Sequence, residues 1–358
     1  LMKAKLFLFA ALAAVTVFAS CSKDDDDTAQ VSRQTTGQEI KFQVGIENSK
    51  GTRAVPLTSS NYAKLMNHFS VFITNADDGS AFAGTGTNPL VFFNDAYKTG
   101  DFHKAGGQID YYWPTTPLSF YAYYADPGKS ATFGTSDDRT LKCDIVTKAS
   151  GQTDVLYAKA ENVSKDDNSG IVNLQFKHIF TQINFKVGKI LADHEVKISE
   201  VGIAGIPSRA TLDFLTGEVR TEGSQYYIVD DGACDAVEGK AVGSSLLVPE
   251  ADVQDEWDPS DEHTHDFLYG YITVTCKVKN TKTGKYLVGS DSEFKTVYIP
   301  YTALFEAGKS YNFVLNFDGT NGFGYDEDGE PATRLIRYKV NVTDWQIAGD
   351  DNDAKVRI

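Results

Sequence analysis

QEIKFQVGIENSKGTRA, residues 38–54, opens on an alternation. Ile40, Phe42, Val44 and Ile46 are apolar, and Glu39, Lys41, Gln43 and Gly45 between them are polar or small. A period of two places one row on each face of a β-strand, so residues 39–47 are expected to be a strand with one buried face. Asn48 to Gly51 form a polar break, and Thr52-Arg53-Ala54 brings a basic residue to its exit. Two readings are open on these residues. One is an ordinary first strand with an arginine in the loop behind it. The other is a strand that a trypsin-like protease can later cut free between Arg53 and Ala54, because exposed polar loops are where nicking concentrates.

Upstream of this stretch, Lys3 and Lys5 precede an apolar run from Leu6 to Phe18, and Ala19-Ser20-Cys21 follow. A basic start, a short apolar run and small residues make residues 1–20 a signal peptide; the run is too short for a comfortable membrane-spanning helix. A cysteine directly behind the small residues points to a lipoprotein, with Cys21 acylated (palmitate included) as the new N-terminus. Residues 21–37 include Asp24 to Asp27 in a row. They cannot bury enough apolar surface to fold and read as an acidic tether.

Downstream, about 305 residues exceed one typical domain and fit two. Eighteen Tyr, 22 Phe and 30 Gly against two Met favour strands and turns over helices. The net charge of −15 excludes a nucleic-acid partner, whose phosphates need Lys and Arg, and disfavours an anionic membrane surface. Besides Cys21 there are Cys143, Cys234 and Cys276, with no CxxC pair. One disulfide is open to them; a disulfide framework or zinc site is not indicated.

Along the chain, strands are expected at 68–73, 90–93, 109–113, 118–124 and 154–158. A helical turn is expected at Asn61 to Asn67. In LSFYAYY, Leu118, Phe120, Ala122 and Tyr124 face one way and Ser119, Tyr121 and Tyr123 the other. The polar break Ser164 to Gly170 divides the fold into 38–170 and 171–358. Ile171 to Val187 reads as one long strand or two joined by a bend. Further strands are expected near 196–204, 210–214, 225–229, 245–248, 267–278, 285–288, 294–299, 310–317 and 335–343, and Tyr301 to Glu306 is the best helix candidate. So many short strands between Gly, Asn and Asp turns indicate an all-β fold of sandwiches with under ~10% helix. No period of 20–50 residues repeats, which argues against a solenoid or propeller.

Several phrases together resemble the fimbrillin family, the V-type pilins of Bacteroidetes, in its Mfa-like branch. They are IDYYWP (109–114), LSFYAYY (118–124), TDVLYA (153–158), VNLQFKHIFTQINFKV (172–187), AGKSYNFVLNF (307–317) and VNVTDWQ (340–346). SKDDDD behind Cys21 also looks like the acidic export signal of surface lipoproteins in that phylum. The resemblance implies two tandem transthyretin-like β-sandwich (Greek-key) domains. It further implies a lipidated outer-membrane precursor, cut after an arginine behind the first strand and assembled by donor-strand exchange. On this chain the lipid site would be Cys21 and the cut Arg53–Ala54. The displaced strand would carry Ile40, Phe42, Val44 and Ile46. A vacated strand position leaves unpaired backbone groups and an apolar slot, and a strand from another chain removes both costs. The candidate donor is the row Ile336, Tyr338, Val340 and Val342, which reads equally as the last strand of its own domain. Expected partners are other pilin subunits, the outer membrane through Cys21, and a host or glycan ligand in adhesion. A glycan-binding surface lipoprotein and a membrane-retained pilus anchor are the competing readings.

Chemistry is thinly represented. His263 and His265 beside Asp258, Asp261 and Glu262 have metal-ligand types, but in a polar loop without a second ligand pair. Asp318 to Glu330 is acidic and glycine-rich without the spacing of a calcium loop. His178 between Phe176 and Ile179 reads as a hydrogen-bonded core residue. Tyr111, Tyr112 and Trp113 have the chemistry to stack on sugars and read more readily as core. GxSxG, HExxH and a phosphate-binding glycine loop are all missing from the sequence, so no enzyme, cofactor or metal is expected.

Overall fold

The computed structural model describes residues 37–47, 54–56, 68–86, 88–94, 102–104, 110–125, 134–137, 140–230, 232–258, 266–319, 324–326, 331–333 and 336–345. The first half contributes β1 (Lys41–Glu47), β2 (Ala54–Pro56), β3 (His68–Asn75), β4 (Ala81–Ala83), β5 (Leu90–Asn94), β6 (Phe102–Lys104), β7 (Leu118–Ala125), β8 (Gly134–Asp137), β9 (Thr140–Asp144), β10 (Val155–Val163) and β11 (Ile171–His178). The second half continues with β12 (Phe180–Ile190), β13 (His194–Ile206), β14 (Arg209–Asp213), β15 (Val219–Glu222), β16 (Gln225–Asp230), β17 (Cys234–Asp235), β18 (Ala241–Pro249), β19 (Ala251–Val253) and β20 (Tyr271–Asn280). β21 (Tyr286–Val288), β22 (Lys295–Pro300), β23 (Ala303–Phe305), β24 (Lys309–Phe317), β25 (Gly324–Tyr325), β26 (Pro331–Thr333) and β27 (Ile336–Asp344) complete it. The fold is all-β, and among the described residues helix is confined to two 3-10 turns, Ala149–Gly151 and Asp167–Gly170.

The first half is a nine-stranded sheet in the order β2-β1-β11-β10-β7-β3-β5-β6, with β4 on β3. It closes on its own core: Phe42 of β1 packs edge-on against Phe92 of β5 at 4.8 Å, although four strands separate the two in the sheet. The second half packs the sheet β18-β12-β24-β27 against β16-β13-β20-β22-β25-β26. Ile183, Phe185, Phe313 and Leu315 from the one meet Ile198, Val201, Ile203 and Val274 from the other in a single core.

The two cores meet at a seam. β7 alternates as expected, yet Leu118 to Ala122 are all buried, because both faces of this strand are covered. Phe120 and Ala122 fill the first core. Tyr121, with Phe72 and Tyr157, faces the second, where Phe214 packs edge-on to Phe72 at 5.2 Å. Ile171 to Val187 is two strands that part at Ile179. β11 ends in the first sheet and β12 begins in the second, so the chain changes core at one residue. In the other direction, β8 and β9 leave the first half and pair with the second, in the sheet β15-β14-β9-β8. Leu141, Cys143 and Ile145 are thereby buried in the second core.

Two expectations need correction. Tyr301 to Glu306 is not helical: Ala303–Phe305 is the strand β23, paired with β19. Six residues are too few to offset helix nucleation, whereas strand geometry buries Phe305 completely against Tyr311. Residues 110–113 make one bridge, Glu39 to Tyr112, instead of a strand; Ile109 lies outside the described residues. Asn61 to Asn67 lies outside them as well.

Candidate functional site

β1 lies parallel to β11, in register from Lys41 opposite Ile171 to Ile46 opposite Phe176. On its other side it pairs, among the described residues, with the three residues of β2, Gly45 opposite Pro56 and Glu47 opposite Ala54. The alternation of the sequence is met at its four apolar positions, and Gly45 of the other row is buried as well. Ile40, Phe42, Val44 and Ile46 retain 5, 9, 6 and 1% of their surface, while Lys41 and Gln43 are exposed. Phe42 is the centre of the row, with Phe69, Phe92 and Phe120 around it at 4.8–5.8 Å between ring centroids. Such pairs add to the burial of the ring itself, about 0.5–1.5 kcal/mol each.

The start of β1 is tied down by backbone. The Ile40 N–H donates to Tyr111 O at 2.9 Å, and the Trp113 N–H donates to Gln38 O at 3.0 Å. The Gln38 side-chain amide donates to Ser169 O, and the Trp113 indole donates to Gly170 O at 2.9 Å. Gly170 has φ +75°, and a Cβ there would run into the Gln38 amide. Only glycine fits both the left-handed backbone and the close approach.

β27 is the edge strand of its sheet, antiparallel to β24 over nine residues from Ile336 opposite Phe317 to Asp344 opposite Lys309. Lys309 Nζ donates to Asp344 Oδ1 at 2.8 Å, which raises the lysine pKa, and Arg337 grips the Asp318 carboxylate through two nitrogens. Of the alternating row only Ile336 is fully buried. Tyr338 and Val340 are half-buried, and Val342 is 53% exposed. Trp345, just past the strand, donates its N–H to Gly308 O at 3.0 Å and stacks on His178 at 3.9 Å and 15°. His178 Nδ1 is 2.6 Å from Asp154 Oδ2. Beside this stack, at the seam, is a cavity of about 560 Å³ whose walls include Lys177, His178, Glu218, Val219, Arg220 and Gly308.

The expected site residues are not all in view. Cys21 and Arg53 lie outside the described residues; Ala54 begins β2. Asp261, Glu262, His263 and His265 also lie outside, and Asp318 is engaged by Arg337. Among the described residues no three His, Cys, Asp or Glu stand together as metal ligands. Trp113 is buried, and Tyr111 packs against the first core. No disulfide joins Cys143, Cys234 and Cys276; burial pushes the Cys143 and Cys276 thiols up to about 12, while Cys234 is exposed. Sequence reasoning missed β2, β9 and the seam cavity. The alternation of Leu141, Cys143 and Ile145 is the signal that would have found β9.

Comparison with known proteins agrees with this architecture. No curated protein matches the sequence. Among solved structures, a candidate cell adhesion protein from Bacteroides ovatus ATCC 8483 aligns with a TM-score of 0.54 at 15% identity, over 87% of this chain and 99% of that one. A fimbrial protein from Bacteroides vulgatus ATCC 8482 aligns with 0.53 at 12% identity, over 85% and 99%. Another candidate cell adhesion protein, from Bacteroides uniformis ATCC 8492, aligns with 0.52 at 15% identity, over 86% and 99%. At these identities the likeness is one of fold. The fimbrillin-like family model matches residues 52–345, most of the sequence, and so the chain belongs to the fimbrillin-like family.

Proposed function

We propose that this protein is a structural, non-enzymatic subunit of a surface fimbria, exported to the outer membrane as a lipoprotein on Cys21 and serving cell adhesion. It is built into fibres by strand exchange after a cut between Arg53 and Ala54. The observation that carries the proposal is the buried row of β1. Four side chains lie under cover on a strand with one full-length neighbour, β11, and the three-residue β2 on its other side. Once the chain is cut ahead of β2, β1 is held by noncovalent contacts alone. Its loss would bare the edge of β11 and a slot worth roughly 1.5–3 kcal/mol for each apolar side chain that filled it. The family match, which opens at Thr52 past β1, supports the same division. The replacing strand is the row Ile336, Tyr338, Val340 and Val342 of another subunit, of which Ile336 alone is fully buried on its own sheet.

Trypsin treatment of the purified protein, followed by size exclusion and mass spectrometry, tests this. The expected result is oligomers lacking the segment up to Arg53, and their loss in Arg53→Ala. Lys50 is close enough to substitute in vitro, so Lys50→Ala belongs in the same background. Fully cleaved monomers that retain β1 would overturn the proposal.

A further inference from the structure

The seam cavity, at about 560 Å³, falls in the size range of sites that enclose a small ligand. Four segments build it: the end of β11, the turn into β15, Glu250 between β18 and β19, and the turn between β23 and β24. The backbone of these walls is already committed. The N–H groups of Ile179, Gly217, Gly308 and Lys309 donate to the carbonyls of Val155, Asp213, Phe180 and Glu306, and that of Glu218 donates to Thr216 Oγ1. An extended peptide, which binds through main-chain pairs, finds few partners here. Recognition falls to side chains. Lys177 and Arg220 donate, Glu218 and Glu250 accept, and Ile179, Val219 and Ala307 supply apolar wall. A phosphate or an acidic sugar would meet carboxylates of its own sign. A neutral sugar fits this mixture: each hydroxyl both donates and accepts, and the C–H groups of the ring cover the apolar wall.

His178 adds the most specific wall group. Its side chain is 8% exposed, Asp154 Oδ2 lies 2.6 Å from Nδ1, and one ring face is stacked on Trp345. Held to a carboxylate, Nδ1 carries the proton of the neutral ring, which leaves Nε2 an acceptor. Nε2 is buried and has no hydrogen-bond partner in the protein, and the same is true of Oδ1 of its neighbour Asp154. Buried polar atoms are nearly always paired. Here two atoms of one contacting pair are not, and His178 is part of the wall of a cavity with room for a ligand.

We propose that the seam cavity binds a short neutral oligosaccharide, with Lys177, Glu218, Arg220 and Glu250 on its hydroxyls and His178 Nε2 accepting one of them. The volume holds about one or two pyranose rings. The site gives a ligand class to the adhesion role proposed above; it rests on that role and is independent of strand exchange.

The test is calorimetric titration of the purified, uncut protein with lactose, maltotriose, cellotriose, mannotriose and N-acetyllactosamine, and with sialyllactose and Gly-Gly-Gly for contrast. At least one neutral sugar should bind with a Kd below about 1 mM and more tightly than either contrast ligand. Ala307→Trp, which puts an indole into the cavity, should weaken that binding at least about tenfold. Since an added indole can disturb the turn, Lys177→Ala and Glu250→Ala supply a second reading. Both side chains are exposed, and each change should weaken binding by about threefold or more with thermal unfolding unchanged. In the wild type, the sugar should also move the ¹⁵N resonance of His178 Nε2. Binding by none of the neutral sugars, tighter binding of sialyllactose or Gly-Gly-Gly, or full affinity in all three variants overturns the site and leaves fimbrial assembly standing. A cleaved protein that stays monomeric yet binds the sugar overturns strand exchange and leaves the site.

Discussion

β1 and β27 carry the same kind of sequence and meet opposite fates. Each alternates four apolar residues with polar or small ones. Ile40, Phe42, Val44 and Ile46 are covered from end to end, whereas the second row is covered at Ile336 and 53% exposed by Val342. The difference is one of position. β1 lies between two strands and over the rings of Phe69, Phe92 and Phe120; β27 is outermost among the described strands, with β24 beside it. Alternation therefore states which face of a strand is apolar, and the neighbours decide whether that face is buried. The contrast also has a direction. Moving the β27 row onto the track of β1 would cover Tyr338, Val340 and Val342, each worth up to about 1.5–3 kcal/mol when fully buried. What is given up at home is larger than two ion pairs: Lys309–Asp344 and Arg337–Asp318 have carboxylates only 19% and 15% exposed, and the nine-residue pairing with β24 goes with them.

The comparison can be broken most directly at Phe42. Phe42→Ala removes the ring at the centre of the first row and should destabilise the protein by about 3–5 kcal/mol in urea unfolding. A loss below 1 kcal/mol would mean that β1 contributes no more than an edge strand. Gly170→Ala strains the left-handed turn that meets Gln38 and should cost about 1–3 kcal/mol by the same measurement. A neutral result would mean that the entry to β1 yields easily. Val342→Ser should leave the uncut monomer within about 0.5 kcal/mol of wild type, since the side chain is already exposed. The sharper expectation for Val342→Ser is a reduced yield of oligomers after trypsin, because in a second copy this residue would be covered. Unchanged assembly would remove the row from the donor role. The smallest effect concerns the thiols. In a native protein lacking residues 1–21, a thiol reagent should label Cys234 at once. Cys143 and Cys276, buried and hard to ionise, should react only on unfolding.

Much of the fold was legible because most strands here have one covered face. The expected strands near 196–204 and 310–317 fall within β13 and β24, and that near 335–343 overlaps β27. Where reading failed, the cause was long-range. In β13 the buried set passes from Val196 and Ile198 to Val201 and Ile203, and parity changes at a bulge between Ile198 and Glu200. Nothing within VKISEVGI states that an extra residue will be absorbed there. The parting of β11 from β12 at Ile179 was half legible: the apolar row changes parity from Val172, Leu174 and Phe176 to Ile183, Phe185 and Val187, which allows a bend, but nothing local says that the two runs enter different cores. Of the candidate site, the row of β1 was fully readable. The cavity was not, because its walls are drawn from residues 177–179, 217–220, 250 and 307–309, brought together only by the packing of two cores.

The strap formed by β8 and β9 sets a timetable for the chain. Asp144 pairs with Arg209, 65 residues further on. At roughly 5–20 residues per second of synthesis, β9 is made about 3–13 s before the strand that completes it. The first sheet has all of its strands once His178 is out, yet Leu141 and Cys143 must still wait for Ala210 and Leu212. A nascent chain halted between residues 180 and 208 would therefore hold a finished sheet with a sticky apolar segment hanging from it. That intermediate, more than either end product, is the form of this protein that a holding chaperone would have to shield on the way out of the cell.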